Sequence, residues 1–370
     1  MGKARFRKLS KLFDQLEAIP FDPYQDKYVI FSDQHIGMRE FDENKELYLK
    51  ALDYYFNRGF KLIVIGDFEE LHRFGIRTLK SKYRNDVYAK EFKFLQEGRY
   101  CRIFGNHDVD WRIERRVERD LHDILPEIKI VEGIKFKWNE NFIFLTHGHQ
   151  GEFINDTLGK VGRLFLRWIA HPLGFSSFTS PAKNYRKRRK DETEYYSWAK
   201  SKKIIFIAGH THRPMFESLT KVDRLRIDIE NKVMELMSEK DPERSQKLRE
   251  EIVAKREELD RVKKFEGEKE KWPRLEQTEL LIPCYFNDGS CLHRNGITCI
   301  ELSEGKIRLI FLYDRRKREN RNKHRRGLPT KELDTKSPSS APYMHQILED
   351  EELEYIFARI QLLSLSEGFN

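Results

Sequence analysis

Tyr28-Val29-Ile30-Phe31-Ser32-Asp33-Gln34-His35 is the stretch on which the reading of the chain turns: four apolar residues, then acid, amide and imidazole. A short β-branched and aromatic run so closely bounded reads as a buried strand. The same figure recurs four times. Leu62-Ile63-Val64-Ile65 runs into Gly66-Asp67, and Tyr100 to Phe104 into Gly105-Asn106-His107-Asp108. Phe142 to Leu145 runs into Thr146-His147-Gly148-His149, and Ile204 to Ile207 into Gly209-His210-Thr211-His212. Helical segments, Asn44 to Asn57 and Val87 to Gln96, separate the first three, and strand alternating with helix predicts an α/β core. Further on, Glu279 to Phe286, Gly296 to Leu302 and Lys306 to Tyr313 read as strands without helices between them. Ser303-Glu304-Gly305 joins the last two as a short hairpin.

Six of the 12 histidines fall in these strand endings. Ligands of open α/β sheets gather at the carboxyl ends of strands, so five such endings can converge on one site. Asp33, His35, Asp67, Asn106, His147, His210 and His212 together offer enough donors for two metal ions. Carboxylate and neutral imidazole suit Mn²⁺, Fe²⁺ or Zn²⁺, and an asparagine carbonyl adds a harder oxygen. A bridged pair of ions can clamp a phosphoryl group for in-line displacement, with a bound hydroxide as nucleophile and no serine or cysteine. Taken singly, each ending has a plainer reading: a turn, or a capping aspartate in Gly66-Asp67. Five such turns, each following a buried strand, make the joint reading the stronger one.

In these motifs, taken in order, the sequence resembles the calcineurin-like metallophosphoesterases, over about residues 27–215 and 279–313. The resemblance implies a four-layer α/β/β/α sandwich. It implies that Asp33, His35 and His212 bind one metal, that Asn106, His147 and His210 bind a second, and that Asp67 bridges them. His107 would then protonate the leaving group, with Asp108 orienting its ring, and His149 would stand behind the ligands. Gly66 to Glu70, His147 to Phe153 and Gly209 to Pro214 look like the bacterial UDP-diacylglucosamine pyrophosphatase relatives. Those enzymes typically carry arginine where this chain has His107, a departure that bears on the lipid substrate. Mn²⁺ is the expected ion, with Fe, Zn or Mg compatible. A serine/threonine protein phosphatase, a nuclease and an inactive scaffold of the same fold are the alternative readings.

The expected division is an N-terminal extension over 1–26, the phosphoesterase domain over 27–313, and a basic linker with an acidic helical tail over 314–370. Within the domain, residues 151–200 form a cap and residues 220–275 a charged helical hairpin, broken near Asp241-Pro242. The cap carries Leu158, Val161, Leu164, Phe165, Trp168 and Ile169 at helical spacing, then a basic run from Lys183 through Arg186 and Arg188 to Lys190. It reads either as a small lid or as a groove for an acyl chain beside an anionic headgroup, with Trp168, Lys183, Arg186 and Arg188 as its substrate residues.

Lys and Arg number 70 against 61 Asp and Glu, a net charge of +9 that is modest for 370 residues but favours anionic partners. The expected partner is a phosphorylated small molecule or lipid-linked substrate, with peripheral contact to an anionic membrane. The basic block Arg315 to Arg326 lacks aromatics for base stacking, which argues against nucleic acid. Residues 220–275 read either as a surface for dimerisation or as a solvated charged spacer. Four cysteines with no CxxC pair exclude a disulfide scaffold and a thiolate zinc site. No apolar run reaches the roughly 18 residues of a membrane span, and the N-terminus lacks a signal-peptide core. The expected location is cytoplasmic, at most peripheral to the inner membrane face.

Overall fold

The structure is a computed structural model that describes residues 2–151, 185–239, 241–266, 282–316, 330–332 and 343–363. The strands are β1 (Ala18–Pro20), β2 (Tyr28–Phe31), β3 (Lys61–Ile65), β4 (Tyr100–Ile103), β5 (Ile130–Val131), β6 (Gly133–Trp138), β7 (Asn141–Thr146), β8 (Ile205–Ala208), β9 (Tyr285–Asn287), β10 (Ile297–Ser303), β11 (Lys306–Asp314), β12 (Thr330–Glu332) and β13 (Tyr343–Glu352). They form two mixed sheets, of order β12-β13-β11-β10-β2-β3-β4-β5 and β1-β6-β7-β8-β9. The chain is therefore mixed α/β, as the alternation of strand and helix predicts.

Burial explains why the motif-bearing strands are continuous apolar runs. Ile30, Ile63, Ile65 and Ile103 of the larger sheet share one hydrophobic cluster with Ile143, Leu145, Ile205 and Ile207 of the smaller. The alternate positions Val29, Phe31, Leu62 and Val64 share a second cluster with Tyr48, Leu52 and Tyr55 of the helix Arg39–Asn57. Successive side chains point to opposite faces, and a strand covered on both faces needs apolar residues at every position. Parallel pairing of β2 with β3 and of β3 with β4 brings their carboxyl ends side by side. In the other sheet β7 and β8 are also parallel, with Thr146 opposite Ala208.

The C-terminal segment corrects one expectation. Leu348 to Glu352 reads as the start of an acidic helix, yet it is the end of β13, and the helix covers Leu353–Leu363. Pairing with β11 overrides the local preference. Arg308 lies opposite Asp350 in the ladder and Lys306 opposite Glu352, and Lys306 Nζ reaches Asp350 at 3.0 Å. Opposite charges across strands favour that register. The larger sheet thus continues past residue 314.

Within 1–26, expected as an extension, the described residues 2–26 are tied into the body. The helix Gly2–Gln15 buries Leu9, and Arg5 pairs with Asp191 at 2.5 Å and Glu194 at 2.7 Å on the helix Tyr185–Lys202. β1 then pairs with β6. The charged segment after residue 220 is a helical pair, Lys221–Ser238 and Pro242–Glu266. Thr220 and Asp223 close a capping box at the start of the first, and Pro242 sits at the first position of the second, where its missing N–H costs nothing. Among the described residues no helix is long and apolar enough to cross a membrane. Trp168, Lys183, the side chain of Arg186, most of the cap and most of the basic linker lie outside the described residues.

Candidate metal centre

The strand endings place their polar residues in strained backbone. Asp33, His35, Asp67, His210 and His212 all have φ between 46° and 68°, the left-handed region that non-glycine residues avoid. Such conformations persist only where surrounding bonds over-determine them, and here they do. Asp33 N–H donates to Gly66 O at 3.1 Å and His35 N–H to Asp67 O at 2.9 Å. His210 N–H donates to Asp33 Oδ2 at 2.8 Å, and His107 N–H to Asp67 Oδ1 at 2.8 Å. Gly105 allows this approach, because a Cβ there would collide with Asp67 Oδ1 and the Asp67 amide nitrogen.

The result is two adjoining clusters, with a third group, His35, Glu70 and His107, that shares His35 with the first. Asp33, His35 and His212 form one, and Asp67, His147 and His210 the other, with candidate ligand atoms inside each within 4.8 Å of one another. In the first, His35 Nε2 is 3.3 Å from His212 Nε2, and Asp33 Oδ1 is 2.9 Å from His212 Nε2. In the second, His147 Nε2 is 3.2 Å from His210 Nδ1, 3.1 Å from Asn106 Oδ1 and 3.3 Å from Asp67 Oδ2. Asp67 Oδ2 also lies 3.6 Å from His35 Nε2, so this one oxygen stands between the clusters. All seven residues singled out from the sequence are therefore gathered.

The spacing fits cations. Adjacent ligands held about 2.0–2.1 Å from one ion lie about 2.8–3.4 Å apart in octahedral or tetrahedral geometry. Several donor pairs here fall at that separation, including imidazole nitrogens facing one another, which cannot all be donors. Asp33 Oδ1 is buried without a hydrogen bond despite its neighbour His212, an acceptor that a cation would satisfy. His147 Nδ1 lies 3.0 Å from Ile65 O, and donation of Nδ1–H there leaves the Nε2 lone pair facing the cluster.

Without metal, protons compensate the acids. Burial pushes the Asp33 carboxyl up, but attraction to His212 and His147 outweighs it and holds Asp33 well below the usual carboxylate range. Burial pushes the His147 imidazole down, but the Asp67 and Asp33 carboxylates raise it to about 10. Asp288 behaves oppositely. Ser32 Oγ lies 2.7 Å from Asp33 Oδ2 and 2.6 Å from Asp288 Oδ1, yet it has one hydrogen to give. Burial pushes Asp288 up to about 8, so of the two acids that share the Ser32 hydroxyl it is Asp288 that takes up a proton more readily.

His107 reaches the edge of the site: its side chain is 24% exposed, against 4% or less for His35 and His147. Its expected partner needs correction. Asp108 does not touch the ring; its carboxylate accepts from the Gly105 amide at 2.6 Å and the Phe68 amide at 2.8 Å. Adjacent residues in a turn diverge, and this one faces the backbone that it braces. The ring of His107 is held by Glu70, whose Oε1 is 2.9 Å from His107 Nδ1 and whose Oε2 is 3.0 Å from His35 Nδ1. Glu70 lies in the Gly66 to Glu70 run, but nothing in that spacing separates it from Glu69, which turns the other way to Arg102 at 2.9 Å. His72 packs on His107 with ring centroids 4.4 Å apart.

His149 is buried behind the centre, its ring 5.5 Å from that of His147. Arg188 lies on the helix Tyr185–Lys202 within electrostatic reach of His293, a neighbour of His212 that sequence reasoning misses. Burial, then the charge of His212 and that of Arg188, push the His293 imidazole down to about 4. Asn287, also missed, holds the Gly209 carbonyl at 2.7 Å. Asn287 and Asp288 close β9 as the other polar endings close their strands, which is the available signal.

No family model matches the chain, and no curated protein does. Among solved structures, an archaeal phosphodiesterase is similar over 77% of this chain and 99% of its own, at 15% identity and a TM-score of 0.32. A likeness of that size carries no argument.

Proposed function

We propose that the chain is a metal-dependent phosphoesterase with a two-metal centre, folded as the four-layer sandwich of the calcineurin-like enzymes. The observation that carries this is the pair of clusters joined at Asp67 Oδ2. Asp33, His35 and His212 would hold one cation; Asn106, His147 and His210 would hold the other; Asp67 would touch both. Mixed carboxylate, amide and imidazole donors suit Mn²⁺. Two such ions supply charge for a phosphoryl group and lower the pKa of water.

The protein's own part is positioning and proton transfer. Glu70 accepts Nδ1–H from His35 and from His107, which fixes both tautomers and turns both Nε2 atoms inward. His107 Nε2, 3.9 Å from Asp67 Oδ2, is placed to protonate a departing alkoxide. Its partial exposure leaves room for that group. The lipid-linked substrate depends on the apolar cap positions from Leu158 and on the basic run Lys183 to Lys190, of which the cap positions and Lys183 lie outside the described residues; the reaction is the broader one on a phosphoester or pyrophosphate.

The test is to strip the chain with chelator, add back Mn²⁺, and follow turnover of bis(p-nitrophenyl) phosphate. Binding of two equivalents with turnover is the expected result. Proton release accompanies it, because a His147 raised to about 10 must lose its proton before its lone pair is free. Affinity therefore weakens as pH falls, by up to about tenfold per unit for each proton displaced. Two bound equivalents with no hydrolysis of diesters, monoesters or pyrophosphates would leave a scaffold instead.

Glu70→Gln is expected to weaken Mn²⁺ binding about 10–100-fold, the usual cost of losing a group that orients a metal ligand. The amide offers one acceptor and one NH₂ to two Nδ1–H groups, so one ring must reverse its tautomer. Calorimetric titration reads the change directly, and unaltered affinity would remove Glu70 from this role.

A further inference from the structure

A cavity of about 250 Å³ lies at the far end of the larger sheet, lined among others by Lys27, Tyr54, Arg58, Glu301, Arg308 and His345. Lys27 precedes β2, whereas Asp33 follows it, so six residues of nearly extended chain, roughly 20 Å, separate cavity and metal centre. Nothing in the proposed phosphoester chemistry uses it.

The chemistry of its wall is selective. Glu301 sits on β10 facing a helix, where an apolar residue would be usual, and is 5% exposed. Its Oε1 accepts from Tyr55 Oη at 2.6 Å and from His345 Nε2 at 2.7 Å, which satisfies its charge. His345 is left with a buried Nδ1 that makes no hydrogen bond, on a side chain only 4% exposed. A buried carboxylate–imidazole hydrogen bond that leaves one ring nitrogen unsatisfied is a costly arrangement, of the kind kept where a ligand completes it.

Three cations, Lys27, Arg58 and Arg308, line the wall with two carboxylates, Glu301 and Glu304, which leaves positive charge in excess. Arg308 shares its guanidinium between Glu304 at 2.8 Å and the Ser303 hydroxyl at 2.9 Å. Among the described residues neither Lys27 nor Arg58 has a carboxylate partner. The Arg58 guanidinium lies 3.7 Å above the Tyr54 ring, which fixes the plane of its donors. A planar, pre-set guanidinium matches an oxyanion through two parallel hydrogen bonds. The volume is below the usual 300–1,000 Å³ of sites for drug-sized ligands, which points to a small ligand.

We propose that this cavity is a second ligand site, separate from the metal centre, that takes a small phosphate-bearing anion between Arg58, Lys27 and Arg308, with His345 at its base. Free inorganic phosphate and a small phosphomonoester share that chemistry. Calorimetric titration of the chelator-treated full chain with inorganic phosphate and with glycerol phosphate tests it, because no metal then competes for the anion. One saturable site is expected, weakened at least tenfold in Arg58→Glu and in Lys27→Glu, both exposed positions whose replacement leaves the core intact. Lys50→Glu, an exposed reversal outside the cavity, should leave it unchanged. Saturation by phosphate alone identifies the free anion, and tighter binding of glycerol phosphate identifies a monoester. No saturable binding, equal affinity in Arg58→Glu, or equal loss in Lys50→Glu would overturn the proposal.

Discussion

Asp67→Asn is expected to retain at most one equivalent of Mn²⁺ and to lose on the order of 10³-fold in phosphodiester turnover, as removal of a preorganised charge from a reacting centre does. The reason is local. Asp67 Oδ1 accepts the His107 amide at 2.8 Å, and an asparagine keeps that bond by leaving its oxygen there. Its NH₂ then replaces Oδ2, among His35, His107 and His147, all within 3.9 Å. A donor stands where a shared cation needs an anion. The retained amide bond should preserve the fold, so circular dichroism melting should move little while metal content by mass spectrometry falls. Two retained equivalents with near-parental turnover would show that Asp67 does not join the clusters, and the two-metal reading would fall with it.

The part of the site legible in the sequence is the part set by strand endings. Asp33, Asp67, Asn106, His147 and His210 come just past buried runs, and parallel pairing aligns those ends whatever the loops do later. Orientation inside a loop is a different matter. Glu69 and Glu70 are neighbours of one type, yet one serves Arg102 and the other two histidines, because the buried arginine on β4 claims whichever carboxylate faces it. Asp108 misleads for a related reason: its place next to His107 in the chain suggests a contact in space that the turn does not make. β6 is legible although it is not among the expected strands, since Ile134, Phe136 and Trp138 alternate with Lys135 and Lys137 in the pattern of a half-buried strand. β13 is not legible, because only its pairing with Lys306 and Arg308 makes a strand of Glu349 to Glu352.

The buried arginine on β4 carries the remaining prediction. Arg102 is fully buried, with Nη1 2.9 Å from Glu69, Nη2 2.7 Å from Glu91 and its guanidinium 4.1 Å above the Phe68 ring. Arg102→Met keeps most of the volume but leaves two buried carboxylates without their cation. Breaking such a network by removing one partner costs about 3–5 kcal/mol, a large share of the roughly 5–15 kcal/mol that holds a typical fold. The pH dependence has a definite sign. Burial already pushes Glu91 up to about 7 against the pull of Arg102, so without the arginine it rises further. An acid raised in the folded state favours folding at low pH and opposes it as pH climbs past its unfolded value. The loss in urea midpoint should thus be largest near about pH 8 and shrink toward about pH 5.5, where Glu91 takes up a proton more readily. The same substitution should loosen the metal centre, because Glu69 lies between Asp67 and Glu70 and fixes the strand ending that carries both. A variant that melts like the parent at every pH would mean that Glu69 is anchored by Trp111 at 2.9 Å and Tyr88 at 3.0 Å alone, and that the arginine merely fills space.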